Sequence, residues 1–294
     1  MSSTAPATEA RGYVDGPDGL IHYRRTGPVS VDGQRSVDGQ RLPLLLLHQT
    51  PSSSEQYTPS MPLFARHRDT IAVDTPGFGL SVAPSEPPTA RRYAESYVAV
   101  LDALGIEKVD LLGHHTGATF ALEMAAAFPE RVNRLVLFGV LVVRSEEERE
   151  WWRGALLVEY ELDGKMAFLD TFVLKKVGDI SPDADGPQIQ RELIAALQAG
   201  PDYWWAYRAV VEHRSLERLA DLQCELLLLN TSEDDPALAE TMRAAAPSVP
   251  HTWRDLTGLP SLHFREPQAY VAAVMEFLDG PTGDTATGDT AKGA

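Results

Sequence analysis

The stretch DLLGHHTGATFALEMAAAFPERV, residues 110–132, sets two imidazoles at a point where the chain turns. It reads as a buried strand, a turn framed by Gly113 and Gly117, and a helix of small residues. His115 stands at the apex and His114 just before it. A neutral imidazole there can accept a proton, donate one from its other nitrogen, or attack a carbonyl carbon. The start of a helix disfavours the charged ring through its macrodipole, and burial pushes the same way. Three further polar motifs share this setting: HQTPSSS (48–54), DTPGFGLS (74–81) and NTSEDDP (230–236).

The elements that must position these motifs follow from the apolar pattern. Strands are expected at 20–25, 42–48, 70–74, 109–112, 134–140, 225–230 and 252–256, and helices at 90–104, 116–127, 236–245 and 267–278. Strands of near-continuous Leu and Val that alternate with helices imply a mostly parallel sheet covered on both faces. Ligands of such sheets bind at the carboxyl ends of the strands, and all four motifs fall there. Residues 144–219 break the rhythm and read as a helical insertion. The duplication SVDGQRSVDGQR (30–41) reads as an expanded hairpin loop between two strands. The tail GPTGDTATGDTAKGA has no apolar residue larger than alanine and cannot join a core.

Four motifs in this order, each ending a predicted strand, resemble the α/β-hydrolase superfamily in its helical-cap branch. The resemblance spans roughly residues 13–279. DTPGFGLS is similar to the family's Asp-x-Pro-Gly-x-Gly-x-Ser turn, LLLLHQTP to the strand ending in His-Gly-x-Pro, and GHHTG to the Gly-x-nucleophile-x-Gly elbow. It implies an α/β fold whose mostly parallel sheet is flanked by helices on both faces, with a helical cap inserted after the sixth strand. The core would be 13–143 and 220–279, the cap 144–219, and 1–12 and 280–294 disordered ends. It also implies that Asp235 holds the acid position and that His263, 28 residues later, holds the histidine position. The backbone N–H groups of Thr50 and Thr116 would form the oxyanion pocket. Two residues depart from the family. His115 stands where a Ser, Cys or Asp nucleophile belongs, and Gln49 replaces the glycine after His48. Gln49 and His115 are expected to face each other across the pocket as a hydrogen-bonded pair, with His48 and His114 supporting from behind.

Two functional readings follow. In the first, an enzyme uses His115 as general base, oriented by Asp235 and His263. It would act on a carbonyl compound as a lyase, isomerase, cyclase or dehydratase, or by hydrolysis without an acyl-serine. In the second, a retired hydrolase scaffold binds a small apolar ligand. A metal held by His114, His115 and Asp235 is disfavoured, because successive residues leaving a strand point to opposite faces. Ser52, Ser53 and Ser54 read as caps of the following helix rather than as replacement nucleophiles. In the insertion, Trp151, Trp152, Tyr203, Trp204, Trp205 and Tyr207 suggest a large apolar or aromatic ligand, such as a hydrophobic secondary metabolite or aromatic catabolite. No cofactor or metal is implied. A formal charge of −16 argues against nucleic acid or an anionic membrane as partner. The single cysteine, Cys224, excludes an internal disulfide. The first residues lack the apolar core of a signal peptide and no apolar run spans a bilayer, so a cytoplasmic protein is expected.

Overall fold

The computed structural model describes residues 9–27, 41–158, 186–231, 236–256 and 266–280. Leucine runs dictate its centre. β3 (Leu44–Leu47) is four fully buried leucines, and β7 (Glu225–Thr231) buries four more. A strand apolar at every position has no face to offer water, so it must lie inside a covered sheet. The sheet has eight strands in the order β1-β2-β4-β3-β5-β6-β7-β8. The others are β1 (Ala10–Gly16), β2 (Gly19–Thr26), β4 (Thr70–Val73), β5 (Val109–His114), β6 (Val132–Phe138) and β8 (Thr252–Leu256). β2 runs antiparallel to both β1 and β4, and every other neighbouring pair is parallel.

Strand alternation divides the core. Leu45, Leu47, Leu111, Leu135, Leu137, Leu226 and Leu228 pack on the side of helices α2 (Ala90–Ala103) and α3 (Thr116–Ala127). Leu44, Leu46, Leu112, Val136, Leu227 and Leu229 pack on the other side with the short helix α1 (Met61–Phe64) and the last helix, Pro267–Leu278. Parallel register brings the carboxyl ends of β3, β4 and β5 level, with Leu47 opposite both Val73 and Gly113. The polar motifs therefore leave the sheet at one edge.

Two expectations need correction. β1 begins at Ala10, inside the stretch 1–12 read as disordered; most of it is exposed, so it lacks the apolar alternation that marks a strand. The strands on either side of 30–41, β2 and β3, are not hairpin partners, because β4 lies between them. Residues 28–40 themselves lie outside the described residues.

Between β6 and β7 the described residues form α4 (Glu146–Leu156), α5 (Gly186–Ala199), α6 (Trp204–Val211) and α7 (Ser215–Ala220). Ser145 caps α4 by accepting from the Glu148 N–H, and three glutamates in its first turn complement the helix dipole. α6 packs on α2, α3 and α4, α7 packs on α3, and α5 lies against the 3-10 turn Ser54–Tyr57. Among the described residues no helix is long and apolar enough to cross a membrane.

Candidate active site

β5 ends at His114 and α3 begins at Thr116, so one residue makes the whole turn. His115 has φ 49° and ψ −110°, and it is the one non-glycine residue with positive φ among those described. A conformation of this kind costs roughly 1–3 kcal/mol and survives only where its surroundings hold it. Here the His115 N–H donates to the Phe138 carbonyl at 2.8 Å, and its own carbonyl accepts from Ala118 and Thr119. Every residue from 109 to 125 is buried except His115, which is half-buried. The turn thus opens one side chain toward solvent out of an otherwise sealed run. The two imidazoles do not point to opposite faces, as strand alternation predicted. The positive φ ends that alternation, and the rings meet with centroids 4.2 Å apart, tilted by 55°. Behind them, His114 stacks on Phe138 at 4.3 Å and 9°.

The HQTP loop faces this turn. His48 donates through Nδ1 to the Gln49 carbonyl (2.7 Å) and accepts at Nε2 from the Thr75 N–H (3.0 Å), which makes it a neutral ring. Burial, the largest influence, lowers its pKa against the pull of Asp74. The Thr116 hydroxyl donates to the Thr50 hydroxyl at 3.0 Å and ties loop to elbow. No described residue accepts the backbone N–H of Thr50 or Thr116. The expected bond between the Gln49 amide and His115 is absent; the amide–imidazole bond that forms is Gln56 Nε2 to His114 Nδ1, at 2.8 Å. Gln56 Oε1 accepts the Gln49 N–H at 3.1 Å. Gln56 reaches both partners because the 3-10 turn that carries it lies directly behind the loop. Nothing in the sequence marks it apart from its nearness to HQTP.

Asp74 organises the next turn. Its carboxylate accepts from His22 Nδ1 (2.8 Å), the Ser54 N–H (2.6 Å) and the Leu80 N–H (2.9 Å). Gly79 is required beside it, because a β-carbon there would lie 2.3 Å from Oδ2. Burial alone would raise this carboxyl, but the His22 hydrogen bond, the nearby His48 ring and the two N–H donors bring it down to about 2. A carboxylate near 2 when folded and 3.8 when unfolded favours the folded state above pH 4 by about 2 kcal/mol. That contribution is lost as the pH falls through 2. Urea denaturation between pH 2 and 6 is expected to show the loss in the wild type and not in Asp74→Asn. Parallel pH dependences for the two proteins would refute the assignment.

With this geometry in hand, comparison with known proteins identifies the fold family. Residues 43–174 match the family model described as alpha/beta hydrolase fold. The chain has the α/β-hydrolase fold. Among curated relatives, 2-hydroxymuconate semialdehyde hydrolase of Pseudomonas putida is 38% identical over 104 residues, 34% of this chain and 37% of that protein. The alignment thus spans little more than a third of the first curated relatives it matches. (E)-2-((N-methylformamido)methylene)succinate hydrolase of Acinetobacter baylyi is 23% identical over 72% of this chain and 80% of its own length. An esterase from Rhodococcus sp. ECU1013 superposes with a TM-score of 0.74 at 23% identity, covering 92% of this chain and 98% of its own.

Asp235 and His263 lie outside the described residues. Of the serines after HQTP, Ser53 caps the 3-10 turn by accepting from the Glu55 N–H at 3.3 Å. The aromatic set divides. Trp151, read as a ligand contact, is 60% exposed, because adjacent residues on α4 project apart and Trp152 takes the buried side. Tyr203 is buried and donates to the Val158 carbonyl at 3.1 Å. Trp204 and Tyr207 pack on the core and Trp205 is half-buried. Tyr207 reaches the site, its hydroxyl donating to the Thr50 carbonyl at 2.7 Å.

Two polar groups were missed from sequence. Glu192 of α5 is 4% exposed, has no hydrogen bond to a described residue, and is pushed by burial to about 7. Glu123, His213 and Ser215 form a buried acid–His–Ser chain, with Nε2 to Glu123 Oε2 at 3.0 Å and Nδ1 to Ser215 Oγ at 3.0 Å. It resembles a triad in composition only. Ser215 is fully buried and donates to the Leu141 carbonyl at 3.1 Å, so its hydroxyl is no nucleophile. The chain instead ties α3 to the segment joining α6 and α7.

Proposed function

We propose that this α/β-hydrolase is an enzyme that acts on a small hydrophobic or aromatic carbonyl compound, with His115 as general base. One observation carries the reading: the half-buried imidazole at the elbow stands where the fold presents its reactive group. The N–H groups of Thr50 and Thr116, which no described residue accepts, are suited to an oxyanion as it develops. His115 would remove a proton from water attacking the carbonyl, or from carbon beside it. The ring would then return that proton to the leaving group or product. Water attack is favoured among these, since the relatives above are named as hydrolases of carbonyl-bearing compounds. Asp235 and His263 would orient the base. Trp204, Trp205 and Tyr207 supply the apolar wall of the insertion.

The test is mass spectrometry of a small-molecule extract from the source cells, incubated with wild type and with His115→Ala. A compound consumed by the wild type alone supports the reading, and a product heavier by one water assigns hydrolysis. An apolar compound that co-purifies unchanged with the wild type and is lost in the variant would replace this reading with the ligand-binding scaffold.

A further inference from the structure

Two protonated imidazoles whose centroids are 4.2 Å apart repel, so His114 and His115 take up one proton well before a second. Gln56 decides which ring receives it. Its Oε1 is claimed by the backbone N–H of Gln49, a donor with no alternative form, so its amide nitrogen is the end that meets His114 Nδ1. An amide nitrogen only donates. His114 Nδ1 must therefore accept, and the ring's own proton sits on Nε2. A second proton on His114 would set N–H against N–H across that 2.8 Å contact. Rotating the amide to relieve it would aim the NH2 group at the Gln49 N–H instead. Either way a donor faces a donor among side chains only 2% and 3% exposed.

We propose that Gln56 is the positioning residue of this site: it holds His114 as the neutral Nε2–H tautomer and leaves His115 to carry the proton the pair takes up. The catalytic meaning of this rests on His115 acting as general base; its physical content does not. The same bond stops the His114 ring from turning, with Phe138 stacked on one side, and so presents a fixed face to His115. Among the described residues, other charged or titratable groups on the surrounding elements are few. His48 is held neutral by its own two partners, and Asp74 is committed to His22 and two N–H groups. Glu55, beside Gln56, is tied to Arg11 and Thr58. Tyr270, against Phe138, is raised by burial, and Glu192 lies on the helix packed against Ser54–Tyr57. None of them donates to His114 Nδ1.

The experiment is ring-nitrogen NMR of protein labelled with 15N-histidine, from pH 5 to 9, with signals assigned through His114→Gln and His115→Gln. In the wild type His114 is expected to stay in the Nε2–H form throughout while His115 titrates. In Gln56→Leu, His114 is expected to gain a titration. In the isosteric Gln56→Glu, it is expected to be doubly protonated across most of the range, lowering the His115 midpoint by about one pH unit or more. A larger gain of protonation in the isosteric Gln56→Glu than in Gln56→Leu would not arise from loosened packing. A His114 that titrates in the wild type overturns the proposal. So does a His114 tautomer unchanged in Gln56→Glu, which preserves side-chain volume should Gln56→Leu fail to fold. No substrate is used, so a failure of the general-base reading would show separately, as unaltered turnover in His115→Gln.

Discussion

His115→Gln is expected to lower kcat/KM by about 10²–10⁴-fold, the range contributed by a positioned general base. Glutamine keeps polarity and reach at the elbow but has no group that exchanges a proton near neutral pH, so the loss should fall on kcat. Binding should change little, because the surrounding walls are contributed by other residues. The Thr50 and Thr116 N–H groups remain in the variant, so turnover should stay above the uncatalysed rate. In the wild type, kcat/KM is expected to fall on the acid side as His115 becomes protonated; in the variant that limb should vanish. The pH profile separates the two explanations of a slow variant. A general base removes both rate and limb, whereas a displaced substrate lowers the rate and leaves the limb. A variant within threefold of wild type, with the limb intact, would end the general-base assignment.

What could be read from residues alone divides along a physical line. Leucine runs announce buried strands because no other arrangement hides both their faces, and the polar motifs leave the sheet at the ends of those strands. Gly113 and Gly117 announced a sharp turn from strand to helix, because small residues let the backbone bend there. The role of Gln56 was not legible. Its two partners, the Gln49 N–H and His114 Nδ1, lie 7 and 58 residues away, and only the packed loop brings them together. The two imidazoles were misplaced for a related reason: alternation is a property of extended backbone, and it stops at the residue that departs from it. Trp151 and Trp152 show the same limit on a helix, where adjacency says that two rings diverge without saying which one is buried.

Gly117→Ala is expected to destabilise the protein by about 3 kcal/mol or more, the upper range for an overpacked core. A β-carbon at Gly117 would stand 2.3 Å from the Leu47 carbonyl oxygen and 2.6 Å from that of His48. Both are backbone atoms at the end of β3, whose register with β4 and β5 leaves them no room to retreat. A flexible side chain could swing aside; a carbonyl in a fully buried strand cannot. Gly154 provides the control. It lies exposed in α4 with nothing within 4 Å of its virtual β-carbon, so Gly154→Ala should be neutral or stabilise by up to about 1 kcal/mol through helix propensity. Urea denaturation of the two variants should therefore move in opposite directions from one kind of substitution. If Gly117→Ala lies within 1 kcal/mol of wild type, the close approach of α3 to β3 is wrong. The approach has a catalytic consequence as well. It brings the Thr116 hydroxyl within 3.0 Å of Thr50, and with it the two N–H donors that an oxyanion would need. Any Gly117→Ala molecules that fold must push α3 away from β3, so they should lose activity while keeping His115 itself.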